Sequence, residues 1–286
     1  MFYFVFRILF VIVDCHVHIG FYGRTRNPLR DWGRVCLSAL LDYLRERGVS
    51  RAVLLPCEGY ERVYAGYGAF TEDVLCLQNF FPELFTAFCS IDPRDPNLGR
   101  KLRYYSELCY GFGEHKVGLP VDHYFNCRLY GLCGKYELLV LIHMDDYYNW
   151  DEIGLRGLER VVKKYSNTVF ILHGPAWWRE ISRSVERTDY PSGCIVEEGR
   201  VQYLLREYDN VYADLSAFSG YNALARDLNY AKRFLIEFSH KLAYGSDLLD
   251  FFSPSKSLIG LLRSLNLPEF VYRRIFYGNI MGIVKK

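Results

Sequence analysis

Residues 8–18 read Ile-Leu-Phe-Val-Ile-Val-Asp-Cys-His-Val-His, a continuous apolar run that ends in Asp14, His16 and His18. An unbroken apolar run of this length is typical of a parallel strand that is buried on both faces. Residues i and i+2 of a strand share a face, so His16 and His18 can bind one ion together. We therefore expect the first strand to end in a pair of metal ligands.

The segment in front of this pair is predicted to be a buried strand and not a targeting signal. Residues 1–13 are apolar except for Arg7. They lack the basic start and the small-residue cleavage site of a signal peptide, and they are too short to span a bilayer.

Seven further apolar runs follow, and stretches with helical spacing separate them. The runs cover residues 51–55, 84–91, 111–118, 138–143, 168–173, 211–215 and 241–244, and one of the helical stretches covers residues 223–238. This alternation predicts βα units and a parallel sheet. A doubly wound open sheet also fits, but 286 residues lie close to the ~250 of a (β/α)8 TIM barrel. We find no linker, so residues 1–286 are predicted to form one barrel domain with C-terminal helices.

Metal-ligating side chains fall where the apolar runs end. Glu114 and Lys116 lie on the fourth run, His143 ends the fifth, His173 ends the sixth, Asp214 and Ser216 follow the seventh, and Asp247 follows the eighth. In a barrel the C-terminal ends of all strands converge on one mouth, where active sites lie. Imidazole together with carboxylate suits zinc, iron, manganese or nickel. The joint pattern, which uses four of the seven histidines, predicts a metal site.

The other three histidines are expected outside this site. His115 should face away from its neighbour Glu114, and His123 and His240 are expected in loops or at helix ends.

Composition excludes several classes of function. The formal net charge is only +2, which argues against a broad nucleic-acid-binding face. Nine cysteines without a CxxC pair indicate neither a zinc ribbon nor a disulfide-stapled secreted domain, so a reduced, cytoplasmic protein is expected. We find no GxSxG elbow and no glycine-rich phosphate loop. The predicted partner is a small-molecule substrate, with no nucleic acid and no membrane, and homo-oligomerisation stays open.

Five segments together resemble the metal-dependent amidohydrolase superfamily, and within it the amidohydrolase-related (amidohydrolase-2) branch. They are VDCHVH at residues 13–18, GEHKVG at 113–118, LIHMDD at 141–146, ILHGP at 171–175 and YGSD at 244–247. The resemblance implies a (β/α)8 barrel of the metallo-dependent hydrolase type with one or two divalent ions. Zinc is the first choice for these ions, and manganese, iron or nickel are alternatives.

The resemblance also assigns the ligands. His16, His18, His143, His173 and Asp247 match the superfamily's metal ligands on the first, fifth, sixth and last strands.

The fourth strand leaves the number of metal ions open. Gly113-Glu114 is similar to the "GE" of TatD-like deoxyribonucleases, in which the carboxylate bridges two metals. Other branches place a carboxylated lysine or nothing there, so Lys116 is a rival bridge or a substrate contact.

Zinc lowers the pKa of a bound water to about 7, so such a site can activate water at neutral pH. Asp247 is the predicted general base. His173 would bind a second ion or polarise a substrate carbonyl. Asp14 is expected to support the first-strand turn, and Asp214 and Ser216 either support ligands or contact substrate.

Evidence about the substrate is sparse. Arg24 follows the first strand and can pair with a carboxylate or phosphate. Trp177 follows the sixth strand and is a candidate pocket wall.

The sequence predicts an enzyme, a metal-dependent hydrolase that cleaves a C–N or C–O bond of a small, cyclic or carboxylated substrate. The alternative is a mononuclear decarboxylase of an aromatic or unsaturated acid. A TatD-like phosphodiesterase and a non-catalytic metal-binding protein are less favoured. A bridging Glu114 favours the two-metal hydrolase over the decarboxylase.

Overall fold

The barrel strands follow one another along the chain. A computed structural model describes residues 11–21, 34–56, 69–247 and 257–284. Within these ranges eight parallel strands are present: β1 Ile12–Val17, β2 Val49–Leu54, β3 Phe85–Ala87, β4 Gly111–His115, β5 Leu139–His143, β6 Phe170–His173, β7 Val211–Asp214 and β8 Leu242–Ala243. A short antiparallel pair, Gly20–Phe21 with Arg34–Val35, lies between β1 and β2.

The strands pair in sequence order. β1 pairs with β2 and β2 with β3, while β4 to β8 form a second continuous sheet. The two sheets meet where the N–H of Cys89, just after β3, donates to the carbonyl of Gly111 at 2.9 Å. On the other side, the N–H of Cys15 in β1 donates to the carbonyl of Tyr244, just after β8, at 2.9 Å. This cyclic order confirms the predicted (β/α)8 fold.

Helices connect the strands and follow the last one. Their bounds are α1 Leu37–Arg47, α2 Thr71–Phe80, α3 Leu98–Tyr105, α4 Tyr124–Lys135, α5 Arg156–Lys164, α6 Pro175–Arg179, α7 Arg200–Glu207, α8 Ala217–Ala225, α9 Leu228–Glu237, α10 Leu258–Ser264, α11 Glu269–Arg273 and α12 Asn279–Ile283. A π-helical turn, Arg274–Gly278, joins α11 to α12.

The stretch 223–238, predicted as one helix, is divided between α8 and α9. The reason is Asp227, whose side chain accepts a hydrogen bond from the N–H of Tyr230 at 3.0 Å and so caps a new helix.

The apolar core has two parts. The larger part packs the helices against the outside of the sheet. The smaller part includes Val13, Leu141 and Ile171 from the strands, together with Ile280 from α12 and Val284 just after that helix. This inner core supports the polar strand ends from within the barrel. No helix among the described residues is long and apolar enough to cross a membrane.

Candidate metal centre

Six predicted ligands meet at the C-terminal ends of the strands. They are His16 within β1, His18 just after β1, Glu114 in β4, His143 in β5, His173 in β6 and Asp247 after β8. His16 Nε2 lies 3.0 Å from His18 Nε2, and His143 Nδ1 lies 2.9 Å from His173 Nε2. The histidines thus form two pairs at the mouth of the barrel.

Glu114 lies between these two pairs. Its Oε1 is 2.9 Å from His143 Nδ1 and 2.8 Å from His173 Nε2. Its Oε2 is 3.4 Å from His18 Nε2. Its Oε1 also lies 3.9 Å from His16 Nε2. The carboxylate is therefore within reach of both pairs, as a bridging ligand must be.

Asp247 lies beside the first pair. Its Oδ1 is 3.5 Å from both His16 Nε2 and His18 Nε2. Its backbone has a φ of 42°, in the left-handed region that aspartate tolerates better than most residues. The N–H of Asp247 donates to the carbonyl of His16 at 2.9 Å, so β1 itself positions this carboxylate.

The spacing of these atoms fits metal coordination. Zinc–nitrogen bonds of about 2.0–2.1 Å place the ligand atoms of a tetrahedral site roughly 3.3 Å apart. Three groups of ligand atoms lie within 4.8 Å of one another: His16 with His18 and Glu114, His16 with His173 and Asp247, and Glu114 with His143 and His173. The described residues can hold one ion or two.

Hydrogen bonds on the outer side of the rings set the tautomers of three histidines. His16 Nδ1 is 2.7 Å from Asp214 Oδ2, His18 Nδ1 is 3.0 Å from the carbonyl oxygen of Leu55, and His143 Nε2 is 3.0 Å from Asp145 Oδ2. Carboxylates and carbonyls only accept, so each outer nitrogen is the donor. The inner nitrogens are then left with lone pairs that face the centre, as metal-ligating histidines require.

His173 follows the same rule through a hydroxyl. Its Nδ1 lies 3.3 Å from Ser216 Oγ, and Ser216 donates to Asp214 Oδ2 at 2.6 Å. The hydroxyl oxygen is thereby left to accept from His173. Asp214 and Ser216 therefore contact ligand histidines in the structure.

Asp14 connects β1 to the turn after β8. Its Oδ1 accepts from the N–H of His16 at 3.1 Å and from the N–H of Ser246 at 2.9 Å. Its Oδ2 accepts from the Tyr43 hydroxyl at 2.9 Å. Burial raises the pKa of Asp14 to about 7, although these hydrogen bonds act in the opposite direction.

Gly245 allows the close approach of three strands. A Cβ at this position would lie 2.5 Å from Asp214 Oδ1 and 2.8 Å from the Cβ of His16. These distances are shorter than any normal contact, so only glycine fits between β1 and β7.

The charges of the site favour a cation. Burial raises the pKa of Glu114, but Lys116 and the neighbouring histidines outweigh burial and hold this pKa well below its usual value. Burial also raises the pKa of Asp214, but the neighbouring His16 outweighs burial and lowers this pKa below its usual value. Burial lowers the pKa of His16, but Asp247 and Asp214 outweigh it and raise that pKa. The surplus of negative charge draws a positive charge, a proton or a metal ion, to the inner nitrogens.

The three predicted substrate contacts differ in position. Lys116 is half-buried, and its Nζ lies 5.6 Å from the centre of the Tyr148 ring. Trp177 is completely buried in the outer core and presents no surface to solvent. Arg24 lies outside the described residues.

His115 and His123 lie away from the centre, as expected. His115 Nε2 is 3.0 Å from Asn126 Oδ1, and burial lowers its pKa to about 4. His123 precedes α4 and accepts from the N–H of Phe125.

Sequence reasoning missed Asp145 and Tyr43. Asp145 comes two residues after His143, which ends a strand. An acidic residue at this spacing from a predicted ligand is a sequence signal that would have indicated its role. Tyr43 lies on α1, 29 residues from the carboxylate that it contacts, and no local signal marks it.

No family model and no curated protein matches the chain. Several solved structures are similar to this chain over nearly its whole length. An amidohydrolase from Burkholderia multivorans with bound zinc has a TM-score of 0.66 at 12% identity and covers 96% of this chain and 99% of its own. A putative 2-pyrone-4,6-dicarboxylic acid hydrolase from Pseudomonas putida has a TM-score of 0.65 at 14% identity, with 96% and 97% covered.

The 5-carboxyvanillate decarboxylase LigW from Sphingomonas paucimobilis is similar too. Its TM-score is 0.62 at 13% identity, and the match covers 96% of this chain and 99% of that protein. At such low identity these likenesses establish the fold alone. The protein has the (β/α)8 TIM-barrel fold that amidohydrolases and decarboxylases share.

Proposed function

We propose that this protein is a metal-dependent hydrolase that binds two divalent ions and cleaves a C–N or C–O bond of a small, cyclic or carboxylated substrate. The observation that carries the proposal is the position of Glu114 between two histidine pairs, within 2.9 Å of both rings of one pair and within 3.9 Å of both rings of the other. A single ion bound at one pair would leave the contacts of Glu114 with the other pair unused.

Each side chain has a role in this proposal. His16 and His18, with Asp247, would hold one ion, His143 and His173 would hold a second, and Glu114 would be shared between the two. Divalent ions in these positions supply Lewis acidity and lower the pKa of a coordinated water. Zinc is the preferred ion because imidazole and carboxylate are its usual ligands.

Asp247 is the proposed general base. Its side chain is 20% exposed, whereas that of Glu114 is 4% exposed, so Asp247 is the acid that can meet an entering substrate. Its carboxylate accepts the proton of the attacking water and passes it to the leaving group. Lys116, half-buried beside Glu114, binds a negatively charged group of the substrate.

The second candidate function is decarboxylation of an aromatic or unsaturated acid. It is favoured by the similarity to 5-carboxyvanillate decarboxylase over 96% of the chain. A decarboxylase of this kind would use one ion, and Glu114 would then serve as a hydrogen-bond partner of His143 and His173.

Metal analysis tests the proposal. We expect about two zinc ions per chain in protein reconstituted with zinc. Glu114→Ala should keep one, because loss of the shared ligand leaves three ligands for the first ion and only two for the second. His115→Gln is the matched control, since His115 neighbours Glu114 but faces Asn126, and it should keep two ions. A wild-type protein that takes up no zinc would refute the metal site, and one ion per chain would favour the decarboxylase.

A substrate panel then separates the two reactions. Lactones, cyclic amides and aromatic acids are incubated with the metal-loaded protein, and ring opening and CO2 release are followed separately. Ring opening without CO2 release would support the hydrolase. CO2 release from an aromatic acid would contradict the hydrolase and support the decarboxylase.

A further inference from the structure

A cavity of about 490 Å³ lies apart from the candidate metal centre. Three segments line it: residues 153–154 after β5, residues between 180 and 185 after β6, and residues between 198 and 203 at the start of α7. None of the six candidate metal ligands belongs to its lining. The cavity is therefore a separate space that the proposed hydrolysis does not use.

The wall of this cavity contains a buried carboxylate. Glu180 is 2% exposed, and its Oε1 accepts from the N–H of Gly154 at 2.8 Å. Among the described residues, no basic side chain lies within ion-pair distance of Glu180. Burial raises the pKa of Glu180, and the Gly154 N–H together with Arg179 and Arg200, which lie beyond ion-pair distance, only partly offsets it.

The basic side chains around Glu180 neutralise other acids. Arg179 pairs with Asp146, Arg183 pairs with Glu197, and Arg200 pairs with Glu159. Glu198, also in the lining, is half-exposed and pairs with Arg206. Arg206 is shared with Glu237, but Glu198 is open to water. Glu180 is the buried carboxylate of the lining that has no ion pair, and it favours a cation over an anion in the cavity.

The rest of the lining suits a hydrocarbon. Ile153 is 42% exposed, and Val185 is partly exposed beside it. The guanidinium of Arg200 already covers the Tyr203 ring at 4.2 Å, so this ring is not free to stack on a ligand cation. A ligand would therefore use the carboxylate for its charge and the aliphatic side chains for its body.

We propose that this cavity binds a small primary amine, with its ammonium group on Glu180 and a short alkyl chain against Ile153 and Val185. An ammonium brings three donors and one positive charge, which match a buried acceptor that no basic side chain of the described residues pairs with.

The test is calorimetric titration of the metal-loaded protein with n-butylammonium at pH 8. We expect saturable binding to the wild type and at least tenfold weaker binding to Glu180→Gln. Glutamine keeps an acceptor for Gly154 and removes only the charge. Glu198→Gln is the matched control in the same lining, and its affinity should stay within threefold of the wild type. Butyrate, which has the same chain and the opposite charge, should not bind.

A second variant tests the apolar wall without touching Glu180. Ile153→Ala should weaken binding of n-butylammonium at least threefold and leave that of methylammonium unchanged. The proposal is overturned if n-butylammonium fails to saturate the wild type, if Glu180→Gln binds it equally well, or if butyrate binds as tightly. Thermal melting of each variant establishes that it is folded.

Discussion

Asp145 and Asp214 act alike on two different histidines of the candidate metal centre. Each accepts a hydrogen bond from the ring nitrogen that faces away from the centre, at 3.0 Å from His143 and 2.7 Å from His16. Such outer partners keep a ring in one tautomer and one orientation. Metal affinity should therefore depend on residues that are not ligands.

Asp145→Asn is expected to weaken zinc binding about 10- to 100-fold, the usual cost of losing an outer partner of a ligand histidine. The amide cannot hold the outer proton of His143 as firmly as a carboxylate does. Competition titration against a chromophoric chelator measures the effect. Asp146→Asn is the control, because Asp146 pairs with Arg179 and not with a ligand. Equal affinities of both variants would show that Asp145 does not position His143.

Asp247→Asn should bind zinc and lose about 10²- to 10⁴-fold in turnover, which is the usual contribution of a general base. The amide has nearly the same shape but cannot accept a proton. Steady-state kinetics and metal analysis on one preparation test this prediction. An active variant would remove Asp247 from the role of base, and a metal-free variant would make it mainly a ligand.

At the scale of elements, the site depends on how closely the turn after β8 approaches β1 and β7. Gly245 fills this narrow space, and the carboxylate of Asp14 joins the ends of β1 and β8 by bonding to His16 and Ser246. The ligands thus lie on rigid strand ends that glycine allows to come together.

Gly245→Ala is expected to destabilise the protein by about 1–3 kcal/mol, the usual cost of overpacking a tight interior. The new methyl group would push against Asp214 and His16. Urea unfolding of the variant measures the free energy of unfolding. Gly282→Ala is the matched control, since a Cβ there meets nothing within 4 Å and α12 gains a better helix former. Equal stability of the two variants would contradict the close approach.

At the scale of the whole molecule, the buried His115 couples stability to pH. Burial holds its pKa at about 4 in the folded protein, against 6.5 in an unfolded chain. Between these values the unfolded state binds a proton that the folded state does not. Stability therefore decreases as the pH falls from about 6.5 to about 4, and increases with pH across the same window.

His115→Gln should flatten this dependence. The proton linkage of His115 is worth about 3 kcal/mol across the window, since each pKa unit corresponds to about 1.4 kcal/mol. Urea unfolding of the wild type and the variant at a series of pH values gives the two slopes. Parallel slopes would show that His115 is not held neutral by the fold.

The order of the eight barrel strands was predictable because each is a continuous apolar run, and buried parallel strands have this pattern. Which polar residues would meet was predictable too, since all strand ends converge on one mouth. The break between α8 and α9 was not predicted, because a single capping aspartate outweighed the apolar periodicity around it.

The sequence by itself determined the barrel and the set of residues at its mouth, because apolar runs and strand ends are local properties. The tertiary structure alone decided which ring nitrogens face inward and that Glu114 lies between the histidine pairs. These features depend on contacts between distant residues, such as His16 and Asp214, which are 198 positions apart. Such contacts exist only once the barrel has brought β1 and β7 together.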